Sequence, residues 1–215
     1  MKLNETLENL RVSYQASKLD LGDCDKNPII QFDHWLEEAI LSKCDEPNSF
    51  VLSTVKKNRP RARVVLLKGI LENDFIFYTN YNSAKGQEIQ LNDNVAMTFL
   101  WLPIQRQVRI EGKISKVSDE ISNEYFSKRP RGSQIGAIAS PQSNILENRE
   151  VLEKLFLNTE KNYDGIEKLP RPGHWGGYAI SPDYIEFWQG RPNRMHDRIC
   201  YEKNLNNWKI YRLAP

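Results

Sequence analysis

Apolar and polar positions change rhythm along this 215-residue chain. In residues 4–15, Leu7, Leu10 and Tyr14 recur at helical spacing and predict a short helix. A polar stretch, 18–28, carries Gly22 and Pro28 and reads as a mobile connection. In 32–41, Phe32, Trp35, Leu36, Ala39 and Ile40 fall on one helical face. The rhythm then shortens. FVLSTVK, RARVVLLKG, DFIFYTN, VAMTFLWL and QVRIEGKISKV are rich in β-branched and aromatic residues. Turn residues separate them at 57–60, 72–74, 80–83 and 92–94, so an antiparallel sheet closing into a barrel is expected. A short helix over 83–91, N-capped by Ser83, interrupts the strands. Helices follow over 119–127, 133–139 and 145–162, then strands over 175–180, 184–188, 198–202 and 208–212. The pattern describes a mainly β protein with helices (α+β). Residues 1–28 form a helix and mobile segment, and 29–215 form a single domain.

Composition narrows the chemistry. Hydrophobic residues make up 40% and charged residues 27%, which suits a packed domain. The net charge of +2 is too mild for a nucleic-acid protein, so anion binding must be local. No run approaches eighteen apolar residues, and the start lacks a basic head followed by an apolar run. No membrane span or signal peptide is expected. Cys24, Cys44 and Cys200 are odd in number and widely spaced, which fits free thiols in a cytoplasmic protein. His34, His174 and His196 form no metal-binding pair, so no metal is expected. GxGxxG, GxxxxGK[ST] and GxSxG are absent. A phosphate must therefore be held by side chains and a helix start.

Four stretches supply such groups. In RVVLLK, strand alternation puts Arg63, Val65 and Leu67 on one face and Val64, Leu66 and Lys68 on the other. FYTNYNSAKG ends a strand at Tyr78 and Thr79 and starts a helix near Ser83, with Lys85 adjacent, a ready anion site. YFSKRPRGSQIG sets Arg129, Arg131 and Ser133 around a proline junction, and arginine forks match phosphate oxygens. In IEFWQGRPNRMHDR, Arg194, His196 and Arg198 stand at i, i+2 and i+4. If 193–201 is extended, the three share one face beside Trp188. Each stretch also has a plain reading: a snorkelling strand end, a capped helix, a solvated turn, a solvated strand face. Two separate basic groups favour two phosphorylated ligands, a cofactor and a substrate.

Taken in order, RVVLLK, FYTN with SAK, RQV, YFSKRPRGSQIGA, QS, HWGG, IEFWQG, RMHDR and the terminal YRLAP resemble the pyridoxamine 5′-phosphate oxidase family, from about Arg11 to Pro215. The resemblance implies an FMN-binding split β-barrel, homodimeric, with active sites at the interface. It implies oxidation of pyridoxamine 5′-phosphate and pyridoxine 5′-phosphate to pyridoxal 5′-phosphate, with O2 as acceptor and H2O2 as product. Carried over residue by residue, FMN would meet Arg63, Val64, Val65, Leu66, Leu67, Lys68, Tyr78, Thr79, Ser83, Lys85, Gln107, Gln142, Ser143, Trp188 and Arg198, with Gln142 and Ser143 given by the partner chain. The substrate phosphate would meet Lys68, Tyr125, Arg129 and Ser133. Arg194 and His196 would flank the substrate ring as the catalytic pair, and Arg11 and Tyr14 would close over it. Ala84 stands where the family usually has a basic residue, and Glu46-Pro47 where Asp-Pro is common. A flavin reductase-like enzyme of the same barrel is the alternative; it would need only the group from Arg63 to Lys85. A non-catalytic pyridoxal phosphate binder would not need the flavin set.

Overall fold

The computed structural model describes residues 3–10, 13–205 and 207–215. Two helices come first, α1 (Leu3–Asn9) and α2 (Pro28–Leu41). Five strands and one helix follow: β1 (Ser49–Lys56), β2 (Arg59–Leu66), β3 (Gly69–Leu71), β4 (Asp74–Asn80), α3 (Ala84–Leu91), β5 (Asn94–Trp101). Next are β6 (Arg106–Lys116), then the helices α4 (Asp119–Ser127), α5 (Arg131–Ala139) and α6 (Arg149–Asn162). The chain ends in β7 (Trp175–Gln189), β8 (Asp197–Asn204) and β9 (Asn207–Leu213). The strands form one sheet in the order β2-β1-β5-β6-β7-β4-β3, with β8 paired to β7 and β9 to β8. The expected mainly β architecture with helices is what the chain adopts. Among the described residues no helix is long and apolar enough to cross a membrane.

Two hairpins turn on two residues each. Lys57 and Asn58, and Glu72 and Asn73, all have φ between 50° and 74°, the paired left-handed conformation that matches strand twist. Pro60 is tolerated because β2 ends the sheet path, where a missing N–H breaks no ladder.

Several boundaries differ from expectation. The first helix stops at Asn9 rather than reaching residue 15. The amides of Gln15 and Ala16 instead donate to Gln105 Oε1 at 2.8 and 3.0 Å, which removes them from any helical ladder. RARVVLLKG is two strands, broken at Leu67 and Lys68. The separate strands expected over 175–180 and 184–188 are one, and β7 runs unbroken from Trp175 to Gln189. Gly112 permits this: a Cβ there would lie 2.1 Å from the Ser181 carbonyl oxygen. The last long helix starts at Arg149, because Asn148 caps it through the Val151 amide.

By contacts the chain divides into two compact units. The first comprises Met1–Phe50, Met97–Glu111 and Asp183–Pro215. Its core is aromatic: Phe32 meets Phe99 at 5.0 Å, Trp35 meets Phe187 at 5.1 Å and Phe187 meets Tyr201 at 5.5 Å, each edge to face. Arg106 is buried over Trp35 and paired with Glu38 at 2.7 Å. The segment over 18–28 is tied to this unit: Arg212 bonds the Leu19 carbonyl and Asp20, and Tyr201 donates to the Asp25 carbonyl at 2.7 Å. The second unit comprises Val51–Ala96 and Gly112–Pro182. There β4 pairs with the first half of β7 in the register Phe75↔Ile180 to Asn80↔Trp175. Phe126, Ile135, Leu169 and Trp175 form a buried cluster beneath α4 and α5.

Candidate active site

The candidate residues gather around two cavities, one in each unit. The cavity of the second unit has a volume of about 520 Å³, within the usual range for small-ligand sites. One wall is the exit of β2, with Val64, Val65, Leu66 and Lys68. The end of β4 contributes Tyr78 and Thr79, and the first turn of α3 contributes Lys85. Tyr125, Arg129 and Ser133 come from the α4–α5 junction, and Gln142 from the loop after α5. Lys68, Lys85, Lys128 and Arg129 line it, and among the described residues no carboxylate does.

Arg129 is the lining cation with a buried, unpaired nitrogen. Among the described residues its buried Nη1 has no hydrogen-bond partner, and its guanidinium lies 4.6 Å from the Trp175 ring centroid. Burial lowers its pKa from the ordinary value, with Tyr125 opposing. A buried guanidinium N–H left unpaired is costly, and an arriving anion removes that cost. Arg131 is not available for this, because it donates to the carbonyls of Ile166 and Tyr163 and pins the junction. Tyr78 and Tyr125 stack at 3.8 Å and Tyr78 stacks on Trp175 at 5.6 Å, giving the cavity a flat aromatic side. Burial is the main reason the Tyr78 phenol is pushed up to about 12, so it stays a neutral donor.

Lys85 bonds Thr79 Oγ1 and Gln142 Oε1, both at 3.2 Å. Gln142 thus meets Lys85 and Thr79 of its own chain. Burial lowers the Lys85 pKa, Arg63 lowers it further and Glu88 opposes.

Other expected cofactor residues lie outside the lining of this cavity. Arg63 pairs with Glu88 at 2.6 Å and donates to Thr54 at 2.6 Å. Burial raises the Glu88 carboxyl, but hydrogen bonds from Thr54 and Arg63 and the Arg63 charge outweigh it and hold the group below its usual range. Ser83 is fully buried and caps α3 by accepting from the Gly86 amide at 3.3 Å. Leu67 is buried in the core, and Ser143 is exposed with φ 71°.

The cavity of the first unit, about 740 Å³, is lined by Leu10, Ser13, Tyr14, Trp188, Arg191, Asn193, Arg194 and His196. His196 lies 4.6 Å from the Trp188 ring centroid, and Tyr14 lies 5.8 Å from Trp188 and 5.7 Å from His196. Gly190 makes room for this group, since a Cβ there would come within 2.8 Å of Tyr14 Cγ. Arg11 falls outside the described residues.

The expected extended face of Arg194, His196 and Arg198 does not exist. Residues Pro192–Arg194 form a 3₁₀ turn, Asn193 and Arg194 have φ of 55° and 61°, and β8 begins only at Asp197. Pro192 and the left-handed pair reverse the chain, so Arg194 and His196 leave the strand that holds Arg198. Arg198 instead grips buried Glu186 through Nε at 2.8 Å and Nη2 at 3.0 Å, and bonds the Ala214 carbonyl. Gln107 is half-buried on β6.

Some lining residues were not expected. Lys128 and Trp175 in the first cavity sit in stretches already singled out, YFSKRPRGS and HWGG, where a second cation beside Arg129 was the available signal. Arg191 and Asn193 line the second cavity; both lie in the quoted stretch IEFWQGRPNRMHDR, and the turn at 192–194 is what brings them there.

A cation-lined cavity on a sheet of this strand order defines a class, the split-barrel proteins. A pyridoxamine 5′-phosphate oxidase-related, FMN binding protein from Nostoc punctiforme PCC 73102 shares the fold at TM-score 0.70, covering 86% of this chain and 97% of that one at 16% identity. PhzG from Burkholderia lata 383, solved in complex with tetrahydrophenazine-1-carboxylic acid, superposes at TM-score 0.87 over 95% of this chain and all of its own, with 27% identity. Residues 36–160 match the family described as pyridoxamine 5′-phosphate oxidase, and 175–215 match the pyridoxine 5′-phosphate oxidase C-terminal dimerisation region. The pyridoxine/pyridoxamine 5′-phosphate oxidases of Burkholderia thailandensis and Burkholderia mallei are each 48% identical over 214 residues, covering 98% of this chain and 99% of theirs. The chain belongs to the pyridoxamine 5′-phosphate oxidase family.

Proposed function

We propose that this chain is a homodimeric, FMN-dependent oxidase that makes pyridoxal 5′-phosphate. Pyridoxine 5′-phosphate and O2 give pyridoxal 5′-phosphate and H2O2. Pyridoxamine 5′-phosphate, O2 and water give pyridoxal 5′-phosphate, ammonia and H2O2. The observation that carries the reading is the 48% identity to pyridoxine/pyridoxamine 5′-phosphate oxidases along essentially the whole chain. Free, widely spaced cysteines support a cytoplasmic setting.

The residues present fit FMN and a phosphorylated substrate. Among the described residues the first cavity offers four cations without a carboxylate, an orphaned guanidinium nitrogen, and an apolar wall from Val64 to Leu66. Each phosphate carries roughly −1.5 to −2 charge near neutral pH, which that set balances. Lys85, with Thr79 and Gln142, would hold the cofactor; Lys68, Tyr125, Arg129 and Ser133 would hold the substrate phosphate. Trp188, Arg194, His196 and Tyr14 would bracket the substrate ring from the second cavity. Each site would then draw residues from both chains of the dimer.

FMN, when bound, supplies the two-electron acceptor for the carbon bearing the amine or alcohol. The protein's part is placement. Arg129 and Ser133 anchor one end of the substrate, and Arg194 and His196 fix the ring, which lowers the entropic part of the barrier. The aromatic side chains exclude water from the reacting face. The test is to mix FMN-loaded protein with pyridoxine 5′-phosphate without oxygen and follow the visible absorbance. Bleaching, reversed by air with pyridoxal 5′-phosphate formed, is the expected result. A flavin that stays yellow would point to another split-barrel flavoprotein or a binder.

A further inference from the structure

We propose that the backbone N–H of Arg191 fixes His196 in its Nε2–H tautomer, so that His196 serves the substrate as a hydrogen-bond donor through Nε2 and not as a base. The inference deepens the oxidase reading and rests on it. The carrying observation is one bond: the Arg191 amide donates to His196 Nδ1 at 3.0 Å. An amide N–H has only a proton to offer, so Nδ1 must present its lone pair. In a neutral imidazole the proton then lies on Nε2. Among the described residues none hydrogen-bonds Nε2, and the ring lines the second cavity.

The surroundings hold this arrangement. The left-handed pair Asn193 and Arg194 turns the chain back, so that residue 191 reaches residue 196. The Arg191 side chain is tethered to the Ser17 carbonyl at 3.1 Å and lies 3.5 Å from Asp197. Asp197 also accepts from the Leu19 amide and from Arg212. The groups facing the ring are Tyr14 from the N-terminal segment, Trp188 from β7, Arg191 and Arg194 from the turn, and Asp197 at the start of β8. Protonating Nδ1 would set two N–H groups against each other. Burial and then the Arg194 charge also lower the His196 pKa, with Asp197 opposing. Nε2 carries a proton in both the neutral and the charged ring, so it has no lone pair to take one from the substrate.

The test uses the FMN-loaded dimer with ¹⁵N-labelled histidine. The chain has three histidines, and the His196 signals are those missing from the His196→Gln variant. An unprotonated Nδ1 and a protonated Nε2 near neutral pH are expected; a protonated Nδ1, or a tautomer mixture, would overturn the proposal. Kinetics give a second readout. The Gln amide nitrogen reaches the Nε2 position and the Asn amide nitrogen only the Nδ1 position, so His196→Asn should lower kcat/KM about tenfold more than His196→Gln. Equal losses, or the reverse order, would also overturn it. The anaerobic bleaching measurement on the same wild-type sample reports separately on the oxidase reading.

Discussion

Among the described residues Arg129 Nη1 is buried with no partner, and its Cζ stands over Trp175. On the proposed function, that guanidinium would receive an oxygen of the substrate phosphate. Arg129→Ala should raise the KM for pyridoxine 5′-phosphate about 10- to 100-fold, the cost of one charge-assisted hydrogen bond, and leave the FMN dissociation constant nearly unchanged. Steady-state kinetics and a flavin titration check both halves, and an unchanged KM would remove Arg129 from the substrate site. Arg129→Lys should recover only part, because an ammonium cannot match a planar fork. At this scale the sequence was informative where chemistry was locally dense. Tyr125, Arg129 and Ser133 lie within nine residues and line one cavity. It was uninformative where a distant acid decides the outcome. Arg63 turns to Glu88, and Arg198 to Glu186 on the neighbouring strand; both acids are buried, and no local pattern announces either pairing.

At the scale of elements, α3 owes its position to a close backbone approach. Ser83 caps the helix, and a Cβ on Gly86 would come 2.0 Å from the Tyr81 carbonyl oxygen. Because that neighbour is backbone, the helix start must move to admit a methyl. Gly86→Ala is therefore expected to destabilise the protein by about 2 kcal/mol, seen as a lower urea midpoint at unchanged slope. It should also loosen FMN, since Lys85 shifts with the turn. A variant as stable as the wild type would show that the contact relaxes freely. The strands themselves were largely legible, because alternation and the asparagines of the two-residue turns encode them locally. Two features were not. Ser181-Pro182-Asp183 has turn composition but continues β7, where Gly112 leaves room for the Ser181 carbonyl. The non-helical course at Gln15 and Ala16 is fixed by Gln105, ninety positions from Gln15, whose side chain takes the amides that a longer helix would have used.

For the whole molecule, the proposed dimer can be tested through its two cavities. Residues 175–215 match a dimerisation region, and this stretch supplies Trp188, Arg194 and His196. If each site joins the phosphate cavity of one protomer to the ring cavity of its partner, defects in the two cavities must complement in trans. Arg129→Ala is expected to damage the first cavity and Arg194→Ala the second, each lowering turnover strongly with FMN retained. In a hybrid of the two variants, one site carries both lesions and the other carries neither. Random pairing makes half the dimers hybrid, so the mixture should regain about a quarter of wild-type turnover after the chains are unfolded and refolded together. If a single chain instead supplied both cavities to its site, every site in the hybrid would carry one lesion, and activity would stay at the level of the single variants. The mixing experiment therefore tests the shared site directly, by a gain of activity that neither parent variant can provide.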